Sequence, residues 1–204
     1  METALQPLGL IDVAPTQSEI LSSQKENHIK KPFMTGYLSH ARSLLAEVHS
    51  EELVESLETK CRTSKDRRIE EGENALGFIG YLDDDKFMTT ESYDVCFRAT
   101  ASWIESVDQV FNANANNYAM ALTRPPGHHA TRTLPNGFCT FNFAAAAAVG
   151  ATRKENCRKV SIIDWDVHYG QGVADIIEGY PDIRYVSMHQ VPAFPYQGQR
   201  RETR

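Results

Sequence analysis

The stretch V-S-I-I-D-W-D-V-H-Y-G-Q-G-V-A-D-I-I-E-G-Y-P-D-I-R-Y-V-S-M-H, residues 160–189, decides the fold class. Val160 to Asp164 reads as a strand, Val173 to Glu178 as a helix and Ile183 to Met188 as a second strand. Upstream, Tyr118 to Leu122 reads as a short buried strand and Phe141 to Arg153 as a helix. Strand, helix, strand, helix, strand predicts right-handed crossovers and a parallel sheet with helices on its faces, an α/β fold. The unusual polar residues sit directly after the strands, in 124–139, 164–172 and 187–198. Ligands of open parallel sheets bind beyond the carboxyl ends of the strands, so these three segments should converge on one site.

Farther from that core the pattern is helical. Ala41, Leu44, Leu45 and Val48 share a helix face from about Ser39, and Ser50 reads as the N-cap of a helix carrying Leu53, Val54 and Leu57. A mobile charged connection is expected from about Arg62 to Asn74. Thr90 then caps a helix in which Tyr93, Phe97, Ala101, Ile104, Val107 and Phe111 recur at intervals of three or four. Residues 1–32 are weakly patterned, with Pro7, Pro15 and Pro32 in a polar stretch, and are expected to form a poorly packed lead-in to one domain over 33–204.

Composition narrows the function. The 204 residues carry 21 Lys+Arg and 27 Asp+Glu, a net charge of −6, and 41% are hydrophobic. That balance is ordinary for one globular domain and argues against direct binding of nucleic acid. The apolar run Phe141 to Val149 is far short of a membrane span, so no membrane partner is expected. The four cysteines, Cys61, Cys96, Cys139 and Cys157, form no C-x-x-C pair. This suits reduced thiols and predicts an intracellular protein, with nucleus, cytoplasm and organelle left open.

Two segments could carry chemistry. Asp166 and His168 lie i, i+2 at a strand end and can point the same way, a carboxylate and an imidazole of the kinds zinc accepts. Asp-x-His is a common triplet, and the alternative is a polar strand end whose aspartate caps the following loop. His128 and His129 follow the stiff turn Pro125-Pro126-Gly127, which would fix their rings. Two histidines near an activated water could divide the proton work. A lone His-His pair is otherwise a surface or helix-cap feature. Asp164 could reach a dyad histidine and fix its tautomer.

The strings R-P-P-G-H-H-A (124–130), N-G-F-C (136–139), D-W-D-V-H-Y-G-Q-G (164–172) and S-M-H (187–189) resemble the zinc-dependent histone deacetylases, in the form of the class II branch, and V-H-S-E-E-L (48–53) resembles an early motif of that family. The resemblance spans about 34–204. It implies the arginase-like α/β fold, three layers with a mainly parallel sheet flanked by helices, incomplete in this chain. It implies zinc on Asp166 and His168, catalysis by His128 and His129, and Asp164 as the carboxylate orienting His128. It further implies a structural potassium ion near Asp164 and Ser187, and a tunnel for the acetyl-lysine stem walled by Gly137, Phe138 and Phe194. One of Asp83, Asp84 or Asp85 would match a rim carboxylate. The implied reaction is hydrolysis of acetyl-lysine amides on histones or other proteins, releasing acetate.

Several departures are legible. The resemblance places a third zinc ligand, an aspartate, and an oxyanion-donating tyrosine beyond Arg204, and the family's first strand has no match in residues 1–32. On this reading the chain is an amino-proximal part of a deacetylase domain, with an exposed strand edge that predicts poor solubility or pairing with another chain. Gln171 stands where the family has Asp or Asn, which should lower the basicity of His129. Two further readings stay open: a catalytically silent interaction module that pairs with deacetylase chains or corepressor-type proteins, and a small-molecule amidohydrolase acting on acetylated polyamines.

Overall fold

The apolar spacing of the first half does form helices, the first beginning earlier and the second ending later than the apolar residues mark. In a computed structural model that describes residues 32–73, 77–83, 86–112 and 118–198, α1 (Pro32–Val48) opens on a proline, whose fixed φ suits a first helical position. The onset lies seven residues before Ser39, so residue 32 belongs to the helix rather than to a lead-in. Ala41, Leu44, Leu45 and Val48 are fully buried. α2 (Glu51–Glu70) starts at Ser50 as expected, with the Ser50 hydroxyl accepting from the Leu53 N–H at 3.3 Å and Glu51 and Glu52 in the first turn.

α2 corrects the expected mobile connection, because residues 62–70 continue the helix. Charge alone did not break it. One stripe (Leu53, Val54, Leu57 and Cys61) is buried, while Arg62 pairs with Glu58 at 2.7 Å and Lys65 with Glu91 at 2.8 Å. A hairpin the sequence reading did not contain follows, β1 (Phe78–Asp83) antiparallel to β2 (Lys86–Thr89). α3 (Ser92–Asn112) begins two residues after Thr90.

α4 (Phe143–Thr152) is apolar all round and nearly all buried, with Asn142 as its N-cap accepting from the Ala145 N–H at 3.0 Å. Its alanines let neighbouring helices come close: a Cβ on Gly150 would lie 2.9 Å from Leu44 Cδ1. One core cluster joins α1, α3 and α4 with Ile176 and Ile183, and a second joins Leu45, Leu57, Tyr93 and Cys96 with Phe141 and Phe143.

The parallel pair is present. β3 (Val160–Asp164) pairs with β4 (Ile183–Ser187) from Val160↔Ile183 to Asp164↔Ser187, with α5 (Gln171–Ile177) as the crossover. The third strand is not present: Tyr118, Met120 and Leu122 are 66%, 67% and 63% exposed in a run that pairs with no strand among the described residues. An apolar run becomes a buried strand only when a neighbour satisfies its backbone. Here a groove of about 590 Å³, lined by Trp103, Val107, Leu122, Pro125, Ala147 and Ile162, separates it from β3. The side of β3 away from β4 is thus open, and Ile163, Val186 and Met188 are exposed. No described helix is long and apolar enough to cross a membrane.

Candidate active site

Both halves of the expected site meet at the carboxyl end of β3. His128 and His129 are adjacent, so their rings must splay, and the centroids lie 3.9 Å apart at 43°. Each ring has a different partner. The His128 Nδ1–H donates to Asp164 Oδ2 at 2.9 Å, and the His129 Nδ1–H donates to Gln171 Oε1 at 2.7 Å. The Gln171 amide cannot turn over freely, because its Nε2 donates to the His129 carbonyl at 3.2 Å. Both Nε2 atoms are therefore free of these partners and available to a reacting group.

Electrostatics separates the two. Burial pulls the His129 pKa down to about 4, and the bond to Gln171 offsets only part of that. His129 is a neutral imidazole near pH 7. For Asp164, burial opposes the charge, but hydrogen bonds from His128 and Tyr185 outweigh it and hold the carboxyl below its usual range. His128 thus leans on a carboxylate and His129 on a neutral amide.

Asp166 and His168 follow β3 as read. Asp166 Oδ1 faces His168 Nδ1 at 3.0 Å and lies 4.0 Å from His128 Nε2, so the two donors point to one place beside the dyad. They are the right kinds of donor for zinc, but catalytic zinc has three protein ligands. Among the described residues no group of three or more His, Cys, Asp or Glu is placed to hold a metal ion. Asp164 and Ser187 are register partners across the parallel pair, and the Ser187 hydroxyl pairs with His189 Nδ1 at 2.9 Å.

The aromatic residues are divided. Phe194 stands edge-on to His129 at 4.9 Å and to His168 at 6.2 Å, so it borders the site. Gly137 has φ 48°, and a Cβ there would lie 2.5 Å from the His129 ring and 2.7 Å from Phe194. Only glycine fits that wedge. Phe138 is 60% exposed at the lip. The groove beneath the 118–123 run borders His128, Asp164 and Asp166 but none of these three, so it is a different space from the expected tunnel. Of the rim acids, Asp84 and Asp85 lie outside the described residues, and Asp83 ends β1.

Three contributors were missed. Tyr185 donates to Asp164 Oδ2 at 2.7 Å, and period-two alternation from Ser187 was the available signal. His49 is buried, its Nδ1–H donating to the Thr131 carbonyl and its Nε2 accepting from the Asn142 N–H, both at 2.9 Å. Asn142 Nδ2 in turn donates to the Ala130 carbonyl at 3.0 Å. His49 lay inside a motif quoted above, yet nothing local shows that it clasps both ends of the 131–142 loop.

Comparison with known proteins bears on the family and the fold. A family model described as histone deacetylase domain matches residues 15–204. Histone deacetylase 6 of Caenorhabditis elegans is 33% identical over 144 residues, 70% of this chain and 14% of that protein. The polyamine deacetylase HDAC10 of Danio rerio is 39% identical over 107 residues, 52% of this chain and 16% of that one. An uncharacterized protein of Synechocystis, slr0245, is 41% identical over 58% of this chain and 38% of its own length. Among solved structures, the HDA15 HD domain superposes with a TM-score of 0.64 at 29% identity, covering 77% of this chain and 41% of that one. The expected α/β fold class is thereby borne out, and the chain matches well under half the length of each of these relatives.

Proposed function

Because this chain belongs to the histone deacetylase family, we propose that it supplies the histidine dyad and two metal ligands for zinc-dependent hydrolysis of acetyl-lysine amides on histones or other proteins, releasing acetate. The observation that carries this reading is one pair of imidazoles with unlike partners, Asp164 and Gln171, beside the donors Asp166 and His168. Asp166 and His168 would hold the zinc, and a third donor must come from outside the described residues. A bound zinc ion supplies Lewis acidity toward an amide carbonyl and toward water.

The chain's own residues do the rest. His129 is neutral with its Nδ1 proton held on Gln171, so Nε2 accepts a proton from water as general base. His128, its Nδ1–H held on the Asp164 carboxylate, supports the leaving group, and the proton that His129 takes from water passes to the departing lysine amine. Gly137 and Phe138 at the lip and Phe194 against His129 would grip the four methylenes of the lysine stem. Asp164 and Ser187 would hold a structural potassium ion. The four cysteines, present as thiols rather than disulfides, support an intracellular setting.

Turnover of an acetyl-lysine peptide by the purified chain with added Zn²⁺, against a His128→Ala control, tests this. Acetate release that is lost in the variant is expected. Release that survives His128→Ala removes the dyad from the mechanism. No release from folded protein favours a second reading, a catalytically silent module for deacetylase chains or corepressor-type proteins. Acetylated polyamines are the alternative substrate, supported by the name of the zebrafish relative.

A further inference from the structure

The supports of the two histidines come from different parts of the chain. Asp164, behind His128, ends β3, whereas Gln171, behind His129, opens α5. Tyr185, on the neighbouring strand β4, touches both. Its hydroxyl accepts from the Gly170 N–H at 3.1 Å and donates to Asp164 Oδ2 at 2.7 Å. Because the Gly170 N–H occupies an oxygen lone pair, the single hydroxyl proton is directed at the carboxylate. Asp164 Oδ2 is the same oxygen that receives the His128 Nδ1–H, and Oδ1 accepts from the Asp166 N–H at 3.1 Å. The carboxylate therefore has no free rotation.

Gly170 is the residue immediately before Gln171. Its carbonyl and that of His128 both receive the Val173 N–H at 3.1 Å, so the first turn of α5 is tied to the dyad through this point. The fit is close: a Cβ on Gly170 would lie 2.5 Å from Tyr185 Oη, 2.7 Å from Asp164 Oδ2 and 2.9 Å from His128 Nδ1. No side chain can stand between the tyrosine and the carboxylate.

We propose that Tyr185 is a positioning residue common to both histidines, its one hydroxyl fixing the Asp164 carboxylate behind His128 and the Gly170–Gln171 backbone behind His129. The inference rests on the dyad reading given above. It specifies that both rings are held as Nδ1–H tautomers by a group that touches neither of them.

The test is Tyr185→Phe, which removes one oxygen and keeps the ring. Long-range ¹H–¹⁵N spectra of the metal-free chain report the tautomer of each histidine without any turnover, so they test this inference apart from the deacetylase reading. The wild type should show Nδ1–H at both His128 and His129. In folded Tyr185→Phe, His128 should become a mixture of tautomers and the His129 ring nitrogens should shift. Unchanged ring nitrogens at both residues in a folded variant overturn the proposal. Should the variant not fold, the wild type carries the test: a slowly exchanging Tyr185 hydroxyl proton close to the Gly170 amide is expected, and its absence overturns the proposal. Where acetyl-lysine turnover is measurable, Tyr185→Phe should lower kcat and leave KM unchanged. A rise in KM alone counts against it.

Discussion

Gln171 Oε1 lies 2.7 Å from His129 Nδ1, and the Gln171 amide is locked in that sense by its own bond to the His129 carbonyl. A neutral acceptor fixes the tautomer without adding charge, so the buried ring stays unprotonated while Nε2 remains a base. The low His129 pKa of about 4 comes first from burial, and the bond to Gln171 raises it rather than lowering it.

Gln171→Asp should reverse that. A carboxylate at this distance favours the imidazolium, so the His129 pKa should rise from about 4, and the acidic limb of any pH–rate profile should move upward with it. NMR titration of His129 is the measurement. An unchanged His129 titration would show that burial alone sets the value.

His49 gives the fold a dependence on pH. Burial lowers its pKa from 6.5 to about 4, so between those values the unfolded chain binds the proton that the native state excludes. Stability is complete above about 6.5 and falls as pH drops toward 4, by about 2 kcal/mol between pH 7 and pH 5. Urea unfolding at the two pH values checks this. His129 adds a contribution of the same sign, so His49→Phe should reduce the slope rather than abolish it.

His128→Ala and Asp166→Ala should each reduce acetyl-lysine turnover by about 10²-fold or more. Neither should shift the unfolding midpoint much, since neither side chain belongs to a core cluster. Turnover and urea melts on the same preparations separate the two effects. Full turnover in either variant would exclude that residue from the chemistry.

Phe138→Ala should weaken peptide binding several-fold while zinc affinity stays constant, because Phe138 is 60% exposed at the lip and Asp166 and His168 stand elsewhere. Equal losses in peptide and zinc binding would argue against a role in gripping the stem.

Asn142→Ala removes both the cap of α4 and the bond to the Ala130 carbonyl. A lost N-cap plus a buried unpaired carbonyl should cost about 2–4 kcal/mol. Chemical denaturation measures it, and a loss below 1 kcal/mol would mean that water replaces the amide.

Elements whose cues are local were legible in the sequence. β3, β4 and the crossover α5 follow from apolar runs bounded by turns, and the Ser50 cap from its own chemistry. Asp166 and His168 came from strand-end spacing, and the dyad from the stiff turn before it. Partnership was not legible. Tyr118 to Leu122 has a strand's composition, but nothing in it says whether a neighbour lies alongside. The hairpin 78–89 and the continuation of α2 past Arg62 depend on packing and ion pairs that composition does not show. Tyr185 and His49 act through residues distant in the chain, so neither announces itself locally.

The His49 clasp also bears on the order in which the molecule assembles. Its two hydrogen bonds join residues 82 and 93 positions apart, and closing loops of that length precedes any return from the contacts they make. On the ribosome, α1 and α2 are made long before Thr131 and Asn142 exist. The 131–142 loop can therefore be seated only late, and until then His49 stands without these two partners. Such an interval is an opening for chaperones.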